Sequence, residues 1–162
     1  DRFSLQNLGD ADIFDRYRTV DFFVATLQSY LPRELHEHLL RLELAEVLSY
    51  ILSTHLEFLA NLVPYYQDEE IIAIHAGLDI TLPLDEQPDD VRLRKRPWEL
   101  GLEHYPGPKW LAVGHTPTQQ LEPTAFGKPL IQGRVLYMDT APVSSGRLCA
   151  LHLPSLQIIC SD

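Results

Sequence analysis

Two short apolar runs, each ending at a histidine, constrain this chain more than any other feature: "IIAIHAGLD" at 71–79 and "KWLAVGHTPT" at 109–118. Each run is continuous rather than alternating and is bounded by turn residues, as expected of a strand covered on both faces. In α/β sheets, sites form outside the carboxyl ends of the strands. His75 and His115 stand at those ends, among residues small enough to let the backbone approach a ligand. Neutral imidazole is a common nitrogen ligand for first-row metals. A hydrogen-bonded structural histidine is the commoner occupant of such a position, however. A zinc or manganese centre also needs three or four protein ligands, often including carboxylates. The spacing alone makes the pair a candidate and leaves both readings open.

Around these strands the sequence reads as α/β, helical first and stranded after. "TVDFFVATLQSY" has apolar residues at helical spacing. Pro32 opens a helix expected to run through "RELHEHLLRLELAEVLSYIL", with Leu35, Leu39, Leu42, Leu44, Val47, Leu48 and Ile51 forming its apolar stripe. In "THLEFLANL", Thr54 and Glu57 have capping-box spacing, and Pro64 is expected to end that helix. "RVLYMDT", "GRLCALHL" and "LQIICS" follow one another closely and predict a C-terminal meander. Between the two histidine strands lies a polar, Pro-rich loop at 81–108, of a length associated with function. With no repeat or linker visible, the expectation is a single domain over 1–162: a helical segment at 1–70, then strands and site loops at 71–162. His36, His38, His55, His104 and His152 read as structural or solvated. No Gly-rich phosphate loop, nucleophile elbow or Cys/His zinc spacing is present.

Composition narrows the function. The formal charge is −10, which argues against a general nucleic-acid binder, whose affinity rests on cationic contacts to phosphates. It leaves room for a small phosphorylated substrate, because a bound metal supplies local positive charge. No stretch approaches the roughly 20 apolar residues of a membrane span. Cys149 and Cys160 flank "LPSL" and stand opposite each other in a two-residue hairpin, so a cross-strand disulfide is conceivable. Two reduced, packed thiols are the reading adopted, together with a cytoplasmic location, since no secretory signal is visible. The chain opens "DRFSLQ" without methionine, which suggests a processed or truncated piece.

The ordered set "IHAGLD", "LPLDEQ", "VGHTPT" and "MDTAPVSSGRLCALHLP" resembles the C-terminal half of the calcineurin-like metallophosphoesterases. The subgroup it is most similar to holds the serine/threonine protein phosphatases and their bacterial relatives, including diadenosine tetraphosphate hydrolases. "THLEFLANLVPYYQDEEIIAIHAGLD" is similar to the family's helix, Leu-Pro, aromatic pair, acidic turn and His-Ala-Gly strand end. "LQNLGDADIFDRY" resembles a further family segment, with Leu8 and Asp12 off pattern. The resemblance implies a metallophosphoesterase β-sandwich flanked by helices. It also implies a dinuclear centre of Mn, Fe or Zn, with ions about 3.5 Å apart activating a water that attacks phosphorus in line. On that reading His75 and His115 both ligate the second metal. Arg94 in "DDVRLRK" aligns with a phosphate-gripping arginine, and Arg92 or Arg96 could serve instead. The implied substrate is a phosphoprotein, a dinucleoside polyphosphate or another phosphoester.

The family's Gly-Asp-x-His, Gly-Asp-x-x-Asp-Arg-Gly and Gly-Asn-His-Asp/Glu motifs are not in this sequence. They carry the bridging aspartate, the first metal's ligands, the asparagine of the second metal and the histidine that assists the leaving group. "DTAPVSSG" also departs from the usual bacterial Asp-Thr-Gly. The expectation is thus the C-terminal part of a phosphoesterase, inactive alone, whose partner is the missing N-terminal half of the domain. The alternative is a non-catalytic relic or interaction module with the same fold.

Overall fold

The computed structural model describes residues 14–15 and 19–161. Most of "LQNLGDADIFDRY" therefore lies outside the described residues. The chain divides into two compact units, 1–62 and 63–162.

The first unit is helical: α1 at Asp21–Gln28, a 3-10 helix at Arg33–Arg41, α2 at Leu44–Tyr50 and α3 at Ser53–Ala60. The single helix expected from Pro32 is broken. Leu42 (φ −75°, ψ 141°) and Glu43 (φ −75°, ψ 150°) are extended, so the chain turns between the 3-10 helix and α2. Burial explains the break. Leu39 and Leu42, three residues apart, suit the three-residue turn of a 3-10 helix. Together with Val47 they enter one cluster with Phe14, Phe23 and Leu27. The expected capping box does not form either: α3 begins at Ser53, so Thr54 lies inside the helix, and the N-cap residue Leu52 makes no side-chain cap bond. At its other end Asn61 closes the helix before Pro64, donating from Nδ2 to the Glu57 carbonyl at 2.7 Å.

The second unit holds a five-stranded sheet in the order β1 (Tyr65–Gln67), β2 (Ile71–Ile74), β3 (Trp110–Val113), β5 (Val135–Tyr137), β4 (Leu130–Gln132). β1 falls inside the segment expected to be helical. Asp68 makes its turn into β2 by accepting from the Glu70 and Ile71 amides at 2.8 and 2.9 Å. β2, β3 and β5 are mutually parallel, with Ile74 beside Val113 and Val113 beside Tyr137. β4 returns antiparallel through a two-residue turn in which Gly133 takes φ +58°. The mixed α/β class thus follows the sequence, but "RVLYMDT" joins the parallel sheet instead of starting a meander. β2 is also less covered than its apolar run predicts, since Ile71, Ile72 and Ala73 are half-buried and only Ile74 is buried.

The 81–108 segment is not a plain loop. It carries α4 (Asp89–Leu93), α5 (Pro97–Leu100) and two short 3-10 turns, which make the crossover from β2 to β3. Leu102, at its end, is fully buried with Leu111, Val113, Val135 and Tyr137. That packing fixes the crossover over the sheet, and with it the backbone that contacts the strand ends. α6 (Thr118–Leu121) and α7 (Pro142–Ser145) are single turns, and β6 (Cys149–His152) pairs with β7 (Gln157–Cys160) as a separate two-stranded sheet. Cys149 and Cys160 are bonded as a disulfide, contrary to the reduced reading. They are opposite one another, next to a hydrogen bond from the Ser161 amide to the Leu148 carbonyl. They therefore occupy a non-hydrogen-bonded pair, where facing Cα atoms come closest; here the Cα–Cα distance is 4.0 Å. Among the described residues, no helix is long and apolar enough to cross a membrane.

Candidate functional site

The parallel register of β2 and β3 sets Ile74 beside Val113, so both chains leave the sheet at the same carboxyl edge. The next residues differ: His75 follows β2 directly, whereas Gly114 precedes His115. The Gly114 amide donates to the His75 carbonyl at 2.7 Å and extends the ladder by one step. His115 then turns sharply. Its φ is +63°, and the Thr116 amide donates back to the Gly114 carbonyl at 2.6 Å. A bond from residue i+2 to residue i around a positive φ is a γ-turn of the rare, strained kind. For a residue with a Cβ such a conformation persists only when its surroundings over-determine it. The turn brings the two imidazoles together, with ring centroids 5.1 Å apart and planes tilted by 58°.

The crossover supplies the constraints. The Ala76 amide donates to the Arg92 carbonyl at 2.8 Å, tying the β2 exit to α4. His115 Nε2 lies 3.1 Å from the Arg94 carbonyl. A carbonyl only accepts, so this nitrogen carries the proton and Nδ1 keeps its lone pair. Arg96 Nη1 donates to the His115 carbonyl at 3.1 Å and to Thr116 Oγ1 at 3.3 Å. Arg96 is itself pinned at the start of α5, where its amide donates to the Glu99 carboxylate at 2.7 Å and the buried Pro97 follows.

A third strand end reaches the same edge. The Met138 amide donates to the Val113 carbonyl at 2.7 Å, and Asp139 follows. Its Oδ1 accepts from the Ala141 amide at 2.9 Å, and its carbonyl accepts from the Thr118 amide at 2.9 Å. Electrostatics tie the three residues together. Burial, then the neighbouring His115, hold His75 below the ordinary histidine value. Burial, then the Arg96 guanidinium, do the same for His115, and the Asp139 carboxylate pulls both part of the way back. Both imidazoles are therefore neutral at pH 7, the state in which they can ligate a cation.

The structure brings His75 and His115 together as their strand-end positions suggest. Of the arginines, Arg96 contacts His115 through its side chain, Arg92 pairs with Asp89, and Arg94 is exposed, offering its carbonyl to the histidine. Asp139 was not singled out from the sequence. Its signal was available: "RVLYMDT" is a third apolar run whose next residues reach the carboxyl end of a parallel strand. A divalent cation fits this edge in part. Two neutral imidazoles suit a first-row metal. Among the described residues, however, no group of three or more His, Cys, Asp or Glu side chains is placed to hold one.

No protein-family model matches the sequence, and no curated protein does. A solved structure does: the crystal structure of "a putative diadenosine tetraphosphatase" covers 93% of this chain and 72% of its own, with a TM-score of 0.56 and 17% identity. The two chains share a fold. At that identity the likeness speaks for the architecture alone.

Proposed function

We propose that this chain carries part of the active site of a metal-dependent phosphoester hydrolase, with His75 and His115 as two ligands of one divalent cation. The observation behind this reading is the facing pair of neutral imidazoles at adjacent parallel strand ends, one of them held in a strained turn. The fold shared with a diadenosine tetraphosphatase candidate and the order of the sequence motifs support it. The cation is Mn, Fe or Zn, one of a pair, and the remaining ligands come from outside the described residues. When bound, such a pair supplies a water that is deprotonated near neutral pH. The chain's own residues keep both rings neutral and hold His115 through the Arg94 carbonyl and the Arg96 guanidinium, and the exposed Arg94 side chain is the candidate for gripping phosphate. A guanidinium suits phosphate oxygens, which it binds bidentately. Of the possible substrates, a dinucleoside polyphosphate is favoured by the solved neighbour's description, with a phosphoprotein second.

The test is hydrolysis of diadenosine tetraphosphate, a phosphopeptide and p-nitrophenyl phosphate by the natural full-length protein with Mn²⁺. Activity on at least one substrate, abolished by His75→Ala, is expected. Undiminished activity in His75→Ala removes that residue from the site. Absence of hydrolysis and of metal uptake leaves the non-catalytic reading.

A further inference from the structure

His115 is gripped at two points by one short stretch of the crossover. The ring donates to the Arg94 carbonyl, and the peptide carbonyl accepts from the Arg96 guanidinium. Between these anchors lies the γ-turn, a conformation that a β-carbon disfavours. Within the turn's own sequence, "VGHTPT", the Thr116 amide closes it on the Gly114 carbonyl. The Gly114 ladder bond to the His75 carbonyl fixes the residue before it, and the buried Thr116 fixes the residue after it. The Arg96 Nη1 group reaches both the His115 carbonyl and Thr116 Oγ1, so one side chain spans the turn. Arg96 in turn is fixed where its amide meets Glu99 and Pro97 is buried.

We propose that Arg96 is a positioning residue that holds His115 in the strained turn and thereby keeps its ring on the Arg94 carbonyl and beside His75. The inference rests on the reading of His115 as a ligand. It assigns the arginine a different task from gripping phosphate: its guanidinium acts on the protein's own backbone before any substrate arrives. Without it the His115 peptide relaxes, the ring leaves the Arg94 carbonyl, and the tautomer is no longer fixed. Partners of this kind that orient a ligand typically change metal affinity by about ten- to a hundredfold when removed.

The experiment compares the wild type with Arg96→Gln and Arg96→Lys by long-range ¹H–¹⁵N spectra of the histidine rings, without metal, and then by calorimetric titration with Zn²⁺. The wild type is expected to show His115 as the Nε2-protonated tautomer. Arg96→Gln should give a tautomer mixture and Zn²⁺ affinity about ten- to a hundredfold weaker. Arg96→Lys, which keeps a donor, should fall between. Should Arg96→Gln fail to fold, Thr116→Val, which removes one of the two acceptors, must shift the tautomer in the same direction. An unchanged tautomer in the folded variants overturns the proposal, even where His115→Ala abolishes Zn²⁺ binding. Conversely, a shifted tautomer in a protein that takes up no Zn²⁺ keeps the positioning role and removes the metal reading.

Discussion

Replacing His115 by alanine and by glycine separates backbone strain from ligand loss, because both variants remove the imidazole. At most strand and helix positions glycine is the worse choice by roughly 0.5–1 kcal/mol, owing to its freedom in the unfolded chain. At φ +63° the order should reverse. A residue with a Cβ pays on the order of 1–3 kcal/mol in such a conformation, and glycine escapes most of that. Subtracting glycine's entropic cost leaves His115→Gly more stable than His115→Ala by about 1 kcal/mol. Urea unfolding at pH 7.5 measures this directly. Both tryptophans, Trp98 and Trp110, lie in the 63–162 unit, so their fluorescence reports the part that carries the turn. With a slope of about 2 kcal/mol per molar urea, the midpoints should differ by roughly 0.5 M. An alanine variant equal to or more stable than the glycine variant would show that residue 115 carries no backbone strain.

Acid should weaken metal uptake in a way set by the pair's surroundings. Both histidines are held below the ordinary value, so protons compete with the cation only below about pH 6.5. Folding stability follows the same sign: it is level above that pH and falls as the unfolded chain takes up protons first. Asp139 raises both values, so Asp139→Asn, which keeps an acceptor for the Ala141 amide, should move the acid limb of Zn²⁺ binding to still lower pH. A limb that stays or moves upward refutes the placement of Asp139. Thiol titration of the unreduced protein should find no reactive cysteine, and Cys149→Ala with Cys160→Ala should lower stability by up to about 3 kcal/mol through loop entropy. Two titrating thiols would restore the reduced reading.

The strand ends were legible because short buried strands leave a signal in consecutive residues: Ile71–Ile74 and Trp110–Val113 are bounded as their apolar runs suggest. Their parallel pairing emerges only in the structure, where the segment that reads as a loop folds as the crossover between them. What could not be read was the turn at His115. Its conformation depends on two bonds from residues about twenty positions earlier, Arg94 and Arg96, and no local pattern encodes them. The break at Leu42 was hidden for a similar reason, since spacing of three satisfies a 3-10 helix as well as an α-helix and burial of Leu39 and Val47 decides. Asp139 was missed because its strand is three residues long and one of the three strands of the expected meander belongs to the parallel sheet. The disulfide was readable as geometry, from facing positions in a hairpin, but not as chemistry.

The most direct measurement is calorimetric Zn²⁺ titration of the wild type, His75→Ala, His115→Ala and the double variant at pH 7.5. If the two imidazoles share one cation, each single variant should lose as much affinity at that site as the double variant does. Wild-type binding retained in either single variant, or losses that simply add, would contradict the shared site.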